Sequence, residues 1–281
     1  MPPIPEIKPE QSIELLKELH ILTRDGKLNQ DSRRKLKQVY HLYHFIEPLL
    51  AELLADNGQS AGVTVADHGA GKSYLGFILY DLFFKTLPAG HIYGVETRAE
   101  LVDKSRQLAQ RLQFEHMSFL QLSVEESITS PELPARIDMV TALHACDTAT
   151  DDAIRFALHK RAKFIALAPC CQAEVAALLR RNKNASFART PLSEIWRHPV
   201  HTREFGSQLT NVLRCLQLEA HGYQLTVTEL VGWEHAMKNE LIIARYTGAV
   251  RQNAATRLLE ILHELNLDEL RERFIVPATP V

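Results

Sequence analysis

The sequence predicts an α/β protein built on a doubly wound, mostly parallel sheet, and three observations lead there. From residue 63 onward, short apolar runs of strand length alternate with segments of helical periodicity. The strand runs are apolar almost throughout rather than alternating, as strands covered on both faces must be. The last two runs lie only about ten residues apart, too close for a crossover helix, so they are expected to pair as an antiparallel hairpin at one sheet edge.

The seven strand candidates are residues 63–66, 92–95, 119–122, 137–143, 164–168, 224–230 and 241–246. Helices are expected between the first five, over 73–85, 99–112, 151–158 and 173–181. Ahead of the sheet, Ile13, Leu16 and Leu19 begin a helical apolar stripe that Asp25-Gly26 breaks. A second, longer helix is expected from Ser32, read as its N-cap, to Gly58, read as its C-terminal stop, with a kink at Pro48. Leu258, Ile261, Leu262 and Leu265 mark a final amphipathic helix that caps the core. The organisation expected is therefore a helical extension over 1–58, a Rossmann-like domain over 59–248, and a C-terminal helix and tail over 249–281.

Composition narrows the function classes. Lys and Arg number 32 against 34 Asp and Glu, 46% of residues are hydrophobic and 23% charged, the balance of an ordinary globular chain with a sizeable core. A formal net charge of −2 excludes a protein that coats nucleic acid by bulk charge, but not one with a local basic patch. No apolar run approaches the roughly 20 residues that span a bilayer. Met1-Pro2-Pro3-Ile4-Pro5 lacks the order of a secretory signal. Of the four cysteines, Cys146, Cys170, Cys171 and Cys215, two are adjacent, which suits a disulfide framework poorly and points to a reducing cytoplasm. No membrane association and no obligate protein partner are expected.

The chemistry concentrates after the first strand, in Asp67-His68-Gly69-Ala70-Gly71-Lys72-Ser73. Glycines at the carboxyl end of a strand let backbone approach a ligand closely, and the next helix offers free N–H groups. Two binding readings compete. Residues 66–73 fit a relaxed phosphate-loop pattern closed by Gly71-Lys72-Ser73, which implies an ATPase. Such an enzyme needs an aspartate at another strand tip to hold magnesium, and neither Leu143-His144 nor Ala168-Pro169 supplies it. The other reading is an S-adenosylmethionine site. It explains Glu96 at the second strand tip, 25 residues after Gly71, where a carboxylate can accept from two ribose hydroxyls. It also explains Ser123-Val124 after the third strand, where backbone and a small polar group can edge an adenine.

Three segments in order carry a resemblance. They are Asp67-x-Gly69-Ala70-Gly71-Lys72, then residues 143–151 (Leu-His-Ala-Cys-Asp-Thr-Ala-Thr-Asp), then Ala168-Pro169-Cys170-Cys171-Gln172. With them the chain resembles the class I S-adenosylmethionine-dependent methyltransferases, in the subgroup that includes eukaryotic tRNA ribose 2′-O-methyltransferases. It is more similar to bacterial methyltransferase-domain proteins, which it also resembles at Glu234-His235-Ala236-Met237-Lys238-Asn239. The similarity spans about residues 30 to 247. It implies a seven-stranded sheet with the last strand antiparallel. It places Asp67, Gly69, Gly71 and Glu96 on the cofactor, and His144, Asp147, Cys170 and Cys171 on the methyl-transfer face. The chain departs from the tRNA enzymes at Asp147, where they have glycine, and at Gln172-Ala173, where they have His-His. It also lacks their cysteine-histidine zinc module.

Several residues admit more than one role. His144 has the ordinary pKa of a general base, or else bonds backbone to shape the loop. Asp151, with Thr150 and Asp152, reads as a helix cap complementing the dipole or as a catalytic acid. The cysteines read as a nucleophile, a metal site with His144, or apolar packing; no Cys-x-x-Cys pair is present, and no metal is expected. Lys238-Asn239 is a hairpin turn or a lid over the substrate. Arg34, Lys37, His41 and His44 form one stripe of the second helix, with Arg33 and Lys35 beside them. A further basic cluster runs from Arg180 and Arg181 through Lys183 and Arg189 to Arg197, His198, His201 and Arg203. Together with the resemblance they make RNA the expected substrate, with protein or small-molecule acceptors as the alternative.

Overall fold

The computed structural model describes residues 6–58, 60–143, 147–169, 172–182, 191–230 and 240–275. The chain enters through α1 (Ile13–Glu18) and α2 (Gln30–Asn57). The sheet and its crossovers follow as β1 (Thr64–His68), α3 (Tyr74–Leu82), β2 (His91–Glu96), α4 (Ala99–Arg111), β3 (Met117–Gln121), α5 (Val124–Thr129), β4 (Met139–Leu143), α6 (Thr148–His159), β5 (Phe164–Ala168), α7 (Glu174–Arg181), α8 (Pro199–Ala220), β6 (Tyr223–Glu229) and β7 (Glu240–Tyr246). The last long helix is α9 (Gln252–Glu264).

The seven strands lie in the order β3-β2-β1-β4-β5-β7-β6. The first five run parallel, and β7 is inserted antiparallel between β5 and β6. The final two strands thus form the expected hairpin. Their burial explains why the sequence pattern worked: β5 is buried at all five residues, whereas the edge strand β6 is mostly exposed. The chain leaves β1 toward β3 and returns at β4, so the order reverses between β1 and β4. The carboxyl end of that reversal is where open α/β sheets bind ligands.

The N-terminal helices pack on this core. Leu15, Leu16, Ile46 and Leu50 are fully buried in one cluster with Val63 and Val65 of the β1 region and Phe77 of α3. Each such side chain contributes about 1.5–3 kcal/mol by leaving water. Ser12 caps α1 by accepting from Leu15 N at 3.1 Å. Its own N–H donates to the buried Asp81 of α3 at 2.9 Å, and Lys85 pairs with the same carboxylate at 2.8 Å. On α2 the cap is Asn29 rather than Ser32. Asn29 Oδ1 accepts from Ser32 N at 2.8 Å, and Ser32 is buried inside the first turn. Gly58 ends the helix as expected, with φ of 81° and its N–H on Leu54 O, and α2 runs without a break through Pro48.

On the far side, α7, α8 and α9 share an apolar cluster that includes Leu179, Leu213 and Leu258. The 22-residue α8 was not anticipated. None of the described helices is long and apolar enough to cross a membrane.

Candidate active site

Three strand tips and one loop build the site. After β1, Gly69 and Gly71 both take positive φ, 66° and 58°, a conformation that costs glycine nothing. The loop is sewn to β2: Ala70 N donates to Val95 O at 3.1 Å and Gly71 N to Glu96 Oε2 at 2.8 Å. Ser73 also takes a left-handed conformation, φ 49°. Its hydroxyl donates inward to Asp67 Oδ2 at 3.0 Å, and Thr141 of β4 donates to Asp67 Oδ1 at 2.9 Å. A phosphate loop needs that hydroxyl on a metal ion; here it is committed to a buried carboxylate.

Burial dominates Asp67 and pushes its carboxyl up to about 6, against the two hydroxyls that favour the charged form. Glu96 behaves oppositely. Burial acts to raise it, but Arg98 and the N–H groups of Arg98 and Gly71 outweigh that and bring it down to about 2. Arg98 grips both oxygens, Nε to Oε1 at 3.1 Å and Nη2 to Oε2 at 3.2 Å. Glu96 is therefore ionised at any physiological pH. His68, between them in sequence, is buried with its ring tilted over Phe156 at 5.2 Å. Burial pushes it down to about 4, so it is neutral, and neither ring nitrogen has a partner among the described residues.

A cavity of about 560 Å³ opens beside the loop. Asp67, Gly69, Gly71 and Lys72 line one side, Arg98 and Leu143 another. Ser123 and Val124 begin α5 beyond β3. Ser123 is fixed in a capping box, its N–H on Glu126 Oε2 at 2.7 Å and its Oγ accepting from Glu126 N at 3.3 Å.

On the opposite side of the switch point the structure brings together residues that sequence reasoning kept apart. Arg214 of α8 is fully buried. Its Nε donates to Asp151 Oδ1 at 2.6 Å, its Nη2 to the carbonyl of Asp147 at 2.8 Å, and its Nη1 to Asn211 Oδ1 at 3.2 Å. Asp151 is thus neither a cap nor a free acid; it is half of a buried ion pair. Asp147 holds φ 50° and ψ −117°, costly for a residue with a side chain. The buried Gln172 amide joins the network, with Arg214 Nη1, Asn211 Oδ1 and Ser207 Oγ all within hydrogen-bond distance of it. Asn211 in turn donates to Glu240 Oε2 at 2.8 Å. One guanidinium therefore ties the turn after β4, the segment after β5 and the start of β7.

His144, Cys146, Cys170, Cys171, Lys238 and Asn239 lie outside the described residues. So do Lys183 and Arg189 of the second basic cluster. Of the rest, Arg181 pairs with Glu269, Arg197 with Glu194 at 3.2 Å and Arg203 with Glu204 at 3.1 Å. Cys215 is set apart, its thiol pushed up to about 12 first by burial and then by Glu240 and Glu219. Among the described residues no group of side chains gathers as a metal site.

The donor set fits S-adenosylmethionine. Gly69 and Gly71 line the cavity with positive φ and no side chain in the way, and the ionised carboxylate of Glu96 stands at the tip of the neighbouring strand, joined to the loop through Gly71 N. A seven-stranded sheet of this order with that loop defines a class I, S-adenosylmethionine-dependent methyltransferase. Residues 34–178, just over half of the chain, match a family described as methyltransferase domain, and the chain belongs to that family.

Among solved structures it is similar to a Synechocystis magnesium protoporphyrin IX methyltransferase with bound S-adenosylhomocysteine. That pair shares 13% identity over 83% of this chain and 93% of that one, with a TM-score of 0.44. It is also similar to Aeropyrum pernix fibrillarin in complex with S-adenosylmethionine, at 14% identity over 66% of each chain and a TM-score of 0.41. A curated relative is the glutathione S-transferase C-terminal domain-containing protein of Bos taurus, 22% identical over 245 residues. The alignment covers 78% of this chain and 34% of that relative, so the chain spans about a third of the relative's length.

Proposed function

We propose that this methyltransferase acts on RNA in the cytoplasm, with the catalytic machinery in residues 59–248 and the helices of 1–58 serving recognition. The observation that carries the RNA reading is the disposition of α2. Arg34, Lys37 and His44 stand exposed on it, while the adjoining face, at Lys35 and Gln38, looks into the cavity. His41 is half-buried and stacks edge-on against Phe45 at 5.0 Å, so it belongs less to that exposed stripe. A phosphate backbone lying on Arg34 and Lys37 offsets the cost of positive charge near a helix start. It also brings a nucleotide to the mouth of the site.

In this reading Glu96 accepts from the ribose hydroxyls, Gly69, Gly71 and Lys72 border the amino-acid end, and Ser123-Val124 edge the adenine. Asp67 supports the loop from beneath. The bound cofactor supplies a methyl group on a sulfonium. What the protein adds is in-line placement of the acceptor and a base for its proton, the imidazole of His144. Asp147, Cys170 and Cys171 serve the methyl-transfer step in this reading, and Lys238 and Asn239 serve substrate binding. Arg214 holds that face in register without touching the reacting atoms.

The test is a mass-spectrometric inventory of modified nucleosides in cells lacking the gene. One methylated nucleoside should disappear, returning with the wild-type chain but not with Glu96→Ala. An unchanged inventory would turn the assignment to a protein or small-molecule acceptor.

A further inference from the structure

The cavity beside the glycine loop has a second wall that comes from outside the sheet. It is built by the N-terminal extension, through His20 and Ile21 after α1 and through Lys35, Gln38, Val39 and Leu42 of α2. The α2 residues fall at i, i+3, i+4 and i+7, one face of the helix. His20 and Ile21 lie ahead of residue 34, where the family match begins. The segment is firmly set. His20 turns left-handed at the end of α1 with φ 53°, and Ile21 N and Leu22 N both return to Leu16 O at 2.9 Å. Behind it Leu19, Ile21 and Leu22 are buried.

Charge in the cavity is one-sided. Lys35 enters from α2, Lys72 from the loop, and Arg98, already paired with Glu96, from beyond β2, while among the described residues the one carboxylate on the wall is the buried Asp67, already holding two hydroxyls. Lys35 also reaches Asp31 at 2.9 Å, an exposed i,i+4 pair of the kind that contributes little. The wall also carries aliphatic surface, from Val39, Leu42 and Leu75. A cavity wall that combines aliphatic side chains with cations suits a ligand whose methylene chain terminates in a carboxylate.

We infer that Lys35 and Lys72 together bind the carboxylate of the cofactor's methionine end, so that the N-terminal extension completes the cofactor site. The inference rests on the S-adenosylmethionine reading of the loop. With the ribose on Glu96, the amino-acid end must run past Gly69 and Gly71, and this cavity is what it meets. The extension therefore does two things with adjoining faces of one helix: Lys35 holds cofactor inward, while Arg34 and Lys37 face outward.

Two ligands separate this arrangement from its alternatives. S-adenosylhomocysteine carries the amino-acid end; 5′-methylthioadenosine keeps the adenosine and the thioether but lacks it. Titration calorimetry of the full chain should show Lys35→Met and Lys72→Met each weakening S-adenosylhomocysteine by about tenfold, the low end for a charge-assisted contact. The same variants should change methylthioadenosine by less than about twofold, since they leave its contacts untouched. Thermal melts of both variants should match the wild type.

If Lys35→Met leaves S-adenosylhomocysteine unchanged, the extension has no part in the site and the inference is overturned. Parallel loss of both ligands also overturns it, because the lysines then do not read the carboxylate. Failure of the wild type to bind either ligand would instead bring down the cofactor reading itself.

Discussion

Replacing Arg214 by methionine keeps the bulk of the side chain and removes its charge. The Arg214 side chain is fully buried and that of Asp151 is 5% exposed, so the carboxylate is left buried without a counter-charge. Breaking one side of such a pair costs about 3–5 kcal/mol. The Asp147 carbonyl and Asn211 Oδ1 lose their donors as well. At about 2.1 cal/mol/K per residue, the unfolding entropy of 281 residues is about 0.6 kcal/mol/K, which makes the fall in Tm about 5–9 °C. Urea unfolding followed by circular dichroism measures the free energy, and thermal melts the shift. The pair is isolated by adding Asp151→Asn. Because the uncompensated charge disappears, the double variant should recover at least about 2 kcal/mol relative to Arg214→Met alone. A loss below about 1 kcal/mol in the single variant, or a double variant at the sum of the two singles, would refute the buried-pair argument.

Other expectations are more local. Asp67 sits at about 6 instead of 3.8, so the folded state binds its proton more tightly than the unfolded chain does. Its ionisation costs stability as pH rises from about 4 through 6, and the cost is complete above that. Asp67→Asn should therefore be more stable than wild type at pH 7.5, by about 1–3 kcal/mol, with the difference vanishing near pH 4; a constant difference across that range would contradict it. Gly206→Ala should destabilise by about 1–3 kcal/mol, because its Cβ would stand 2.7 Å from the backbone nitrogen of Ala176 and force α7 from α8. An unchanged urea midpoint would show that the two helices separate freely.

The sheet was legible because strands covered on both faces leave continuous apolar runs, and β5 at 164–168 is placed to the residue. Asp67, Gly69, Gly71 and Glu96 were legible for a related reason: parallel strands put their carboxyl tips side by side, so residues far apart in sequence meet. Ser32 and Asn29 are both good caps three residues apart, and only the backbone geometry shows which one accepts the bond.

Arg214 was not legible. On α8 the residues Ser207, Thr210, Asn211 and Arg214 are all buried, but in sequence a polar helix face turned inward reads the same as one turned to water. In sequence Lys35 reads only as extra charge near a helix start. Its position on the cavity wall depends on how α2 packs against α3, which no local pattern encodes. Pairing of Arg181, Arg197 and Arg203 with acids likewise follows from tertiary placement or rotamer choice, and it offsets part of the charge of the basic cluster.

The claim on which the rest depends is that the loop after β1 and the carboxylate of Glu96 hold S-adenosylmethionine. Calorimetric titration of the wild-type chain with S-adenosylhomocysteine, and separately with ATP and magnesium, tests it directly. The account predicts binding of the first ligand alone. Glu96→Ala should weaken it by about a hundredfold, since two hydroxyl contacts to a charged acceptor are lost. Binding of ATP with magnesium, abolished by Lys72→Ala and accompanied by no response to S-adenosylhomocysteine, would contradict it.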